Sequence, residues 1–145
     1  MSDSILERIQ ADTRTAMKAG DRDRVGTLRM ITASLQQDAK EGGSDPVAVL
    51  QRERKKRVEA AEAFAAGGRA DQATAEREEA ALIETYLPEQ VSDEELAAIV
   101  TEAVAASGAS SVKEMGKVIG IVMPQVKGRA DGKRVSTMVR ERLGA

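Results

Sequence analysis

The chain has 145 residues, with 22 lysine and arginine side chains against 24 aspartate and glutamate side chains. Because it contains no cysteine and no histidine, disulfides, thiolate nucleophiles, zinc and haem sites and histidine-dependent triads are excluded. One Phe and one Tyr are too few to stack on single-stranded nucleic acid. We therefore expect a soluble, cytoplasmic protein with no cofactor, no metal and no membrane partner. Its N-terminus, Met1–Ser4, is too polar for a signal peptide.

The sequence pattern of residues 1–88 predicts four amphipathic helices joined by short glycine turns. Asp21 caps the second helix, and Asp45-Pro46 starts the third, because proline is tolerated at the first helical position. The fourth runs from about Arg69 to Tyr86. Apolar residues with a period near 3.6 predict the inward-facing side chains: Ile5, Leu6, Ile9, Thr13, Ala16 and Met17; Val25, Leu28, Ile31 or Thr32, and Leu35; Leu50, Val58, Ala61 and Phe64; Leu82, Ile83, Tyr86 and Leu87.

The segment from Pro88 to Val91 indicates a domain boundary, after which three shorter helices are predicted. Ser92 and Glu95 form a capping box at the start of the first of these helices. Ser111 and Glu114 have the same spacing and predict a second capping box.

Pro124 should bend or end the middle helix of this half, since proline lacks the N–H that an interior position needs. Asp131 is placed to cap the last helix. The signals together predict an all-α protein, with a four-helix N-terminal bundle over residues 1–88 and a three-helix C-terminal tail domain over residues 91–145.

The charges are unevenly distributed along the C-terminal half. Residues 91–109 carry a net charge of −4 and residues 110–145 a net charge of +5. Cations without aromatic residues suit phosphate contacts to duplex-like RNA, which is recognised by shape. The alternative is ordinary surface charge. The candidate RNA-binding residues are Lys113, Lys117, Lys127, Arg129, Lys133, Arg134 and Arg140.

The loop Lys127–Arg134 combines two glycines and four cations with a helix directly behind it. Free N–H groups at a helix start can bind phosphate, but the spacing does not match a nucleotide-binding P-loop. Asp131 offers the other interpretation, because its carboxylate can cap this helix itself and would repel an anion.

Three further patterns have a structural and a functional interpretation. Gln51–Arg57 contains five cations, which suit nucleic acid or a membrane surface or, with nearby glutamates, a solvated and salt-bridged helix face. Gly116 and Gly120 are expected to let a neighbouring helix come close. Ser110 and Ser111 lie near lysines, but both stand where an N-cap is needed, so no residue is assigned a catalytic role.

Several short stretches resemble the GatB/YqeY family: Leu28-Arg29-Met30, Tyr86-Leu87-Pro88, Gly108-Ala109-Ser110, Met115–Val118, Met123-Pro124 and Lys127–Gly132. From about Val91 the chain is similar to the tail domain of the B subunit of glutamine-dependent tRNA amidotransferase. The resemblance implies an all-helical protein with a tail that helps to grip tRNA. In that enzyme the amide chemistry lies in other domains and in the A subunit, which this chain lacks.

Three functions follow as hypotheses. The first is a non-catalytic accessory protein that binds tRNA through its C-terminal cations. The second is an adaptor for an aminoacyl-tRNA synthetase or an amidotransferase, docked through the acidic turn Asp93–Glu95 or the Arg/Lys-rich third helix. The third is the activity that family-level labels imply, a carbon–nitrogen ligase with glutamine as amido-N-donor.

Overall fold

The structure is a computed structural model that describes residues 4–144. Residues 1–3 lie outside the described residues, and they include most of the segment that was predicted not to be a signal peptide. All regular structure within residues 4–144 is helical, so the all-α prediction is confirmed. The elements are α1 (Ile5–Ala19), α2 (Arg22–Lys40), α3 (Pro46–Ala66), α4 (Ala70–Glu84), α5 (Asp93–Ser107), a short 3₁₀ helix (Val112–Glu114), α6 (Met115–Val126) and α7 (Gly132–Gly144).

Side-chain caps start the first three helices. The Asp21 carboxylate accepts a hydrogen bond from the N–H of residue 24 at 3.2 Å, and the Asp45 carboxylate accepts one from the N–H of residue 48 at 3.2 Å. Both predicted caps are therefore confirmed. α1 begins with a capping box that the sequence interpretation did not include: Ser4 Oγ accepts from Glu7 N, and the Glu7 carboxylate accepts from Ser4 N.

The chain divides into two compact units, one up to Leu87 and one from Pro88 onward. In the first unit, α1 packs on α2 and α3 packs on α4, while α2 also contacts α3. Burial of apolar side chains is the main favourable contribution to folding. The core residues of this unit are Ile9, Ala16, Leu28, Ile31, Leu35, Val49, Leu50, Ile83 and Tyr86.

Tyr86 links the end of the first unit to α1. Its hydroxyl donates a hydrogen bond to the Asp12 carboxylate, and the Arg8 guanidinium lies 5.4 Å from the centre of its ring. Burial, followed by the hydrogen bond to Asp12, raises the pKa of the Tyr86 hydroxyl well above its usual value. The tyrosine therefore stays neutral and closes the core as a hydrogen-bond donor.

Met17 was predicted to face inward, but it is 53% exposed, so this prediction is wrong. Successive helical residues are 100° apart. Since Ala16 and Ile9 face the core, Met17 lies on the flank of α1 beside α2.

The prediction of a solvated basic face on α3 is wrong for two of its residues. Glu53 is 8% exposed and Arg57 is 6% exposed, because α4 packs along this side of α3. Ser34 Oγ donates to Glu53 Oε1 at 2.7 Å, and Arg57 Nη1 donates to the Glu53 carbonyl oxygen at 3.0 Å. The Arg57 guanidinium also lies 3.6 Å from the Glu53 carboxylate and 3.8 Å from that of Glu79.

This polar cluster changes the ionisation of Glu53. Burial opposes the charged form, but the hydrogen bond from Ser34 and the charges of Lys56 and Arg57 outweigh it, so the pKa of Glu53 lies below its usual 4.5. Glu53 is therefore an ionised residue of the interior.

The second unit is built from α5, α6 and α7, which pack on one another. Pro124 lies inside α6 and the helix continues only to Val126, so the predicted end near the proline is confirmed. The buried residues are Val91, Leu96, Val100, Ala103, Ala109, Val118, Val122, Val126, Ala130, Val135 and Val139.

The predicted capping box at Ser111 is wrong. Ser111 makes no side-chain cap bond, and residues 112–114 form the 3₁₀ helix. The Glu114 carboxylate instead accepts hydrogen bonds from Ser110 N at 3.2 Å and Ser110 Oγ at 3.3 Å. The bond from the Ser110 N–H is the main reason that the pKa of Glu114 lies below its usual value. The hydroxyl of Ser110 thus stabilises the turn before α6 through its hydrogen bond to Glu114.

Candidate nucleic-acid interface

Hydrogen bonds hold the loop between α6 and α7 against the segment that precedes α5. Val91 N donates to the Arg129 carbonyl oxygen at 2.9 Å, and Gln90 Nε2 donates to that of Gly128 at 3.1 Å. Arg129 Nε donates to the carbonyl oxygen of Glu89 at 3.1 Å. Gly128 has a φ of +80°, a conformation that glycine adopts without strain. The loop is therefore bonded to residues 89–91 through backbone and side chain.

The acidic start of α5 and the basic loop meet in two ion pairs. Arg129 Nη2 lies 3.3 Å from both carboxylate oxygens of Glu95. Arg134 Nη2 lies 2.7 Å from Asp93 Oδ1. We call these pairs and the three bonds to residues 89–91 the loop clamp. Two of the seven predicted phosphate contacts, Arg129 and Arg134, are thus paired with carboxylates of the loop clamp, and a third, Lys117, lies 3.7 Å from the Glu114 carboxylate.

Caps account for two of the other predicted features. Asp131 Oδ1 accepts a hydrogen bond from Arg134 N at 2.8 Å, so the interpretation of Asp131 as the cap of α7 is confirmed. A phosphate at this helix start would meet that carboxylate. Ser92 Oγ accepts from Glu95 N at 3.1 Å, which confirms half of the first capping box. The Glu95 side chain does not complete it and pairs with Arg129.

The other five candidate cations are exposed. Lys113 lies in the 3₁₀ helix, and Lys127 follows the last residue of α6. The Lys117 side chain is 67% exposed and its Nζ lies 3.7 Å from Glu114 Oε2. Lys133 and Arg140 lie on α7.

Gly116 and Gly120 lie on the exposed side of α6. A Cβ built at either residue would meet no atom within 4 Å, so the prediction that they admit a neighbouring helix of this chain is wrong. The reason is that α6 packs through its opposite side, where Val118 and Val122 are buried. An interior glycine such as Gly120 destabilises a helix by about 1 kcal/mol relative to alanine, and packing within this unit does not require it.

We call this exposed side the α6 face and define it by Lys113, Gly116, Lys117, Gly120 and Lys127. Gly120 follows Gly116 by four residues and Lys117 by three, so the three residues share one side of α6, and Lys117 and Lys127 are about 15 Å apart along the axis. Helix backbone is accessible between the lysines, so an anion can come close to the helix surface.

The structure adds two observations on other kinds of site. Over residues 4–144, no three or more aspartate or glutamate side chains are grouped as a metal ion would require. Nor does any helix of that stretch have the length and apolar character to cross a membrane.

The model of the YqeY-like protein family matches residues 6–143. The chain belongs to this family. The resemblance predicted from the short motifs is therefore confirmed. The YqeY-like chain is also similar to the E subunit of glutamyl-tRNA(Gln) amidotransferase from Methanopyrus kandleri, with 66% identity over 29 residues. These residues are 20% of this chain and 4% of that protein, so the chain spans only a small part of the curated relative that it matches.

Sequence reasoning missed the loop clamp, although a signal for it was present. Segments with net charges of −4 and +5 follow each other within one predicted domain, and opposite charges attract when the fold brings them within about a Debye length. The open position of Gly116 and Gly120 also had a signal, because the apolar period places Val118 and Val122 on the opposite side of the helix.

Proposed function

We propose that this YqeY-like protein is a non-catalytic accessory protein that binds tRNA through the α6 face. The observation that carries the proposal is the coincidence of accessible helix backbone at Gly116 and Gly120 with the exposed lysines of the same face. Each lysine that neutralises a phosphate releases condensed counterions, which favours binding. The glycines remove the side chains that would keep a sugar–phosphate backbone at a distance.

The similarity to an amidotransferase supports tRNA as the nucleic acid. The curated relative is named for glutamyl-tRNA(Gln), and the motifs of the C-terminal half resemble the tail domain of a tRNA amidotransferase. The proposal includes the finer architecture, with residues 1–88 as a four-helix bundle and residues 91–145 as a domain of the tail type. Lys133 and Arg140 would extend the contact along α7.

Arg129 and Arg134 have a different role in this proposal. Their side chains are 37% and 30% exposed and already paired with carboxylates. We assign them to the loop clamp, which fixes the end of α6 and therefore the position of Lys127. Arg129 and Arg134 would therefore affect RNA binding by holding Lys127 in place.

The experiment is retention of tRNA in a gel by two variants of equal charge. Changing Lys113, Lys117 and Lys127 together to glutamate should abolish retention, because it replaces three phosphate contacts by repulsive charges. The matched control changes Lys18, Lys40 and Lys55, which are exposed in the first unit, and should lose far less. Circular dichroism and thermal unfolding establish that both variants fold. Equal retention by the two variants would contradict the proposal.

The two other hypotheses remain predictions with their own tests. An adaptor would retain a protein partner after nuclease treatment. The docking surfaces predicted for it are partly occupied, since Asp93 and Glu95 pair with arginines and Arg57 is buried. A glutamine-dependent carbon–nitrogen ligase would release ammonia from glutamine, and we expect none from the purified protein.

A further inference from the structure

We propose that the groove between α1 and α2 is the docking site for an acidic amphipathic helix of a partner protein. We call it the α1–α2 groove and define it by Arg14, Met17, Arg22, Gly26 and Arg29. It belongs to the first unit, and the proposal is independent of tRNA binding by the α6 face.

The groove has an exposed apolar anchor. Met17 is 53% exposed and lines the groove, whereas Met30, 55% exposed, lines a separate concave region between α2 and α4. Large apolar side chains at such exposure are rare in the described residues, where Val112 at 38% is the remaining one. Methionine is flexible and polarisable, and it is used at surfaces that accept helices of differing shape. A partner that covers Met17 removes apolar area from water.

Two concave regions meet at Arg29 to form the groove. One has a volume of about 460 Å³ and includes Arg14 and Thr32. The other has a volume of about 410 Å³ and includes Met17 and Gly26. Arg29 Nη2 lies 3.8 Å from Met17 Sδ, so charge and apolar surface are adjacent at the junction.

The charge of the groove favours an acidic occupant. Arg14, Arg22 and Arg29 line it and are exposed. Among the described residues that line the two regions, Asp21 is the one acid, and its carboxylate accepts the N–H of residue 24 as the cap of α2. Glutamates flanking an apolar stripe would meet these guanidinium groups.

Gly26 admits the backbone of the occupant. It lies inside α2, and a Cβ built there would meet no atom within 4 Å. A helix crossing at this residue can therefore approach α2 closely, as in other helix-in-groove complexes.

Other occupants fit the groove less well. If α2 of a second copy packed antiparallel at Gly26, Arg22 of one copy would lie near Arg29 of the other, since they are four residues before and three after the glycine. RNA would place phosphates over Met17 and leave the apolar anchor without an apolar partner.

The test follows methionine methyl signals by NMR in the full-length protein labelled at its six methionines. The probe is a designed peptide of about 18 residues, five helical turns, with a leucine stripe and glutamates on both flanks. We expect the Met17 methyl signal to shift with peptide concentration, while those of Met115, Met123 and Met138 stay in place.

Variants and control peptides test the chemistry of the groove. The R14E/R29E double variant should weaken peptide binding by about tenfold, the effect of two partly exposed charge pairs, and M17S should weaken it in the same direction. R69E/R77E, at two exposed arginines at the start of α4 and within it, is the matched charge control and should leave it unchanged. The tRNA retention of R14E/R29E should equal that of the unchanged protein.

Several outcomes would overturn the proposal. These are no shift of the Met17 signal, an equal shift with a peptide that carries lysine in place of glutamate, or an equal shift with a scrambled peptide. A short RNA duplex that shifts Met17 and competes with the peptide would identify the groove as an RNA surface and would also overturn it.

Discussion

The basic run of α3 and the α6 face have similar sequence signals but different surroundings. On α3, the packing of α4 buries Arg57 and brings Glu79 close to it, and Glu53 of the same helix completes the pairing. Within residues 4–144, a Cβ built at Gly116 or Gly120 of α6 would meet no atom within 4 Å, and the Lys117 side chain is 67% exposed although it pairs with Glu114. The comparison teaches that a run of cations indicates a nucleic-acid site only where the fold leaves the cations exposed instead of burying them beside carboxylates.

The largest expected effect is on stability and comes from α3. Changing Arg57 to alanine removes the buried guanidinium that pairs with both Glu53 and Glu79, and leaves the Glu53 carboxylate with Lys56 alone as its cation. We expect the free energy of unfolding to fall by about 3 kcal/mol, measured by urea denaturation. tRNA retention per folded molecule should not change. A loss below about 0.5 kcal/mol, as expected for a surface residue, would mean that the ion pairs of Arg57 on α3 contribute no more to stability than the exposed lysines of the α6 face.

The loop clamp gives the next largest effect. Changing Arg129 to alanine removes bonds to the Glu95 carboxylate and the Glu89 carbonyl oxygen, and the side chain is 37% exposed. We expect a loss of roughly 1–2 kcal/mol in the second unit. K133A is the matched control at an exposed α7 lysine, with a change near zero. If both variants unfold at the same urea concentration, the clamp does not stabilise the loop.

An opposite change in stability is expected at the open glycine of α6. G120A should stabilise the protein by roughly 1 kcal/mol, because alanine favours the helix and its methyl group meets no neighbour. The same substitution should weaken tRNA binding, since the methyl group lies on the α6 face. G26A, at the other open interior glycine, should give the stability gain alone. Unchanged tRNA binding by G120A would show that RNA does not approach α6 at this residue.

The smallest expected effect is on the pH dependence of stability. The pKa of Glu53 is lowered in the folded protein, so its contribution is present above the unfolded pKa of 4.5 and is lost as the pH falls through the folded pKa. E53Q should therefore lose less stability than the unchanged protein when urea unfolding is followed from pH 6 down to about pH 3. Parallel pH profiles would contradict the assignment of Glu53 as an ionised interior residue.

Contacts between residues close in sequence could be predicted, whereas contacts between distant segments could not. The caps at Asp21, Asp45 and Asp131 were predictable, because a cap bond joins residues three apart. The ion pair between Glu95 and Arg129 joins residues 34 apart, so it depends on how α5 and the α6–α7 loop pack.

Exposure was the other quantity that local patterns fixed only in part. Met17 fitted the apolar period of α1, yet it is 53% exposed beside α2. Gly120 was expected to contact a helix, yet a Cβ built there would meet no atom within 4 Å. The burial of Arg57 depends in the same way on α4. These three residues carry most of the functional interpretation, because exposure decides whether a cation, a glycine or a methionine can meet a partner.

The salt dependence of tRNA binding tests the central claim most directly. The dissociation constant of the unchanged protein, K117A and K40A is measured over a series of salt concentrations. If the α6 face contacts phosphates, K117A should reduce the slope of log K against log salt by about 1, and K40A should leave it unchanged. A slope that K117A does not alter, or that both variants reduce equally, would contradict tRNA binding through the α6 face.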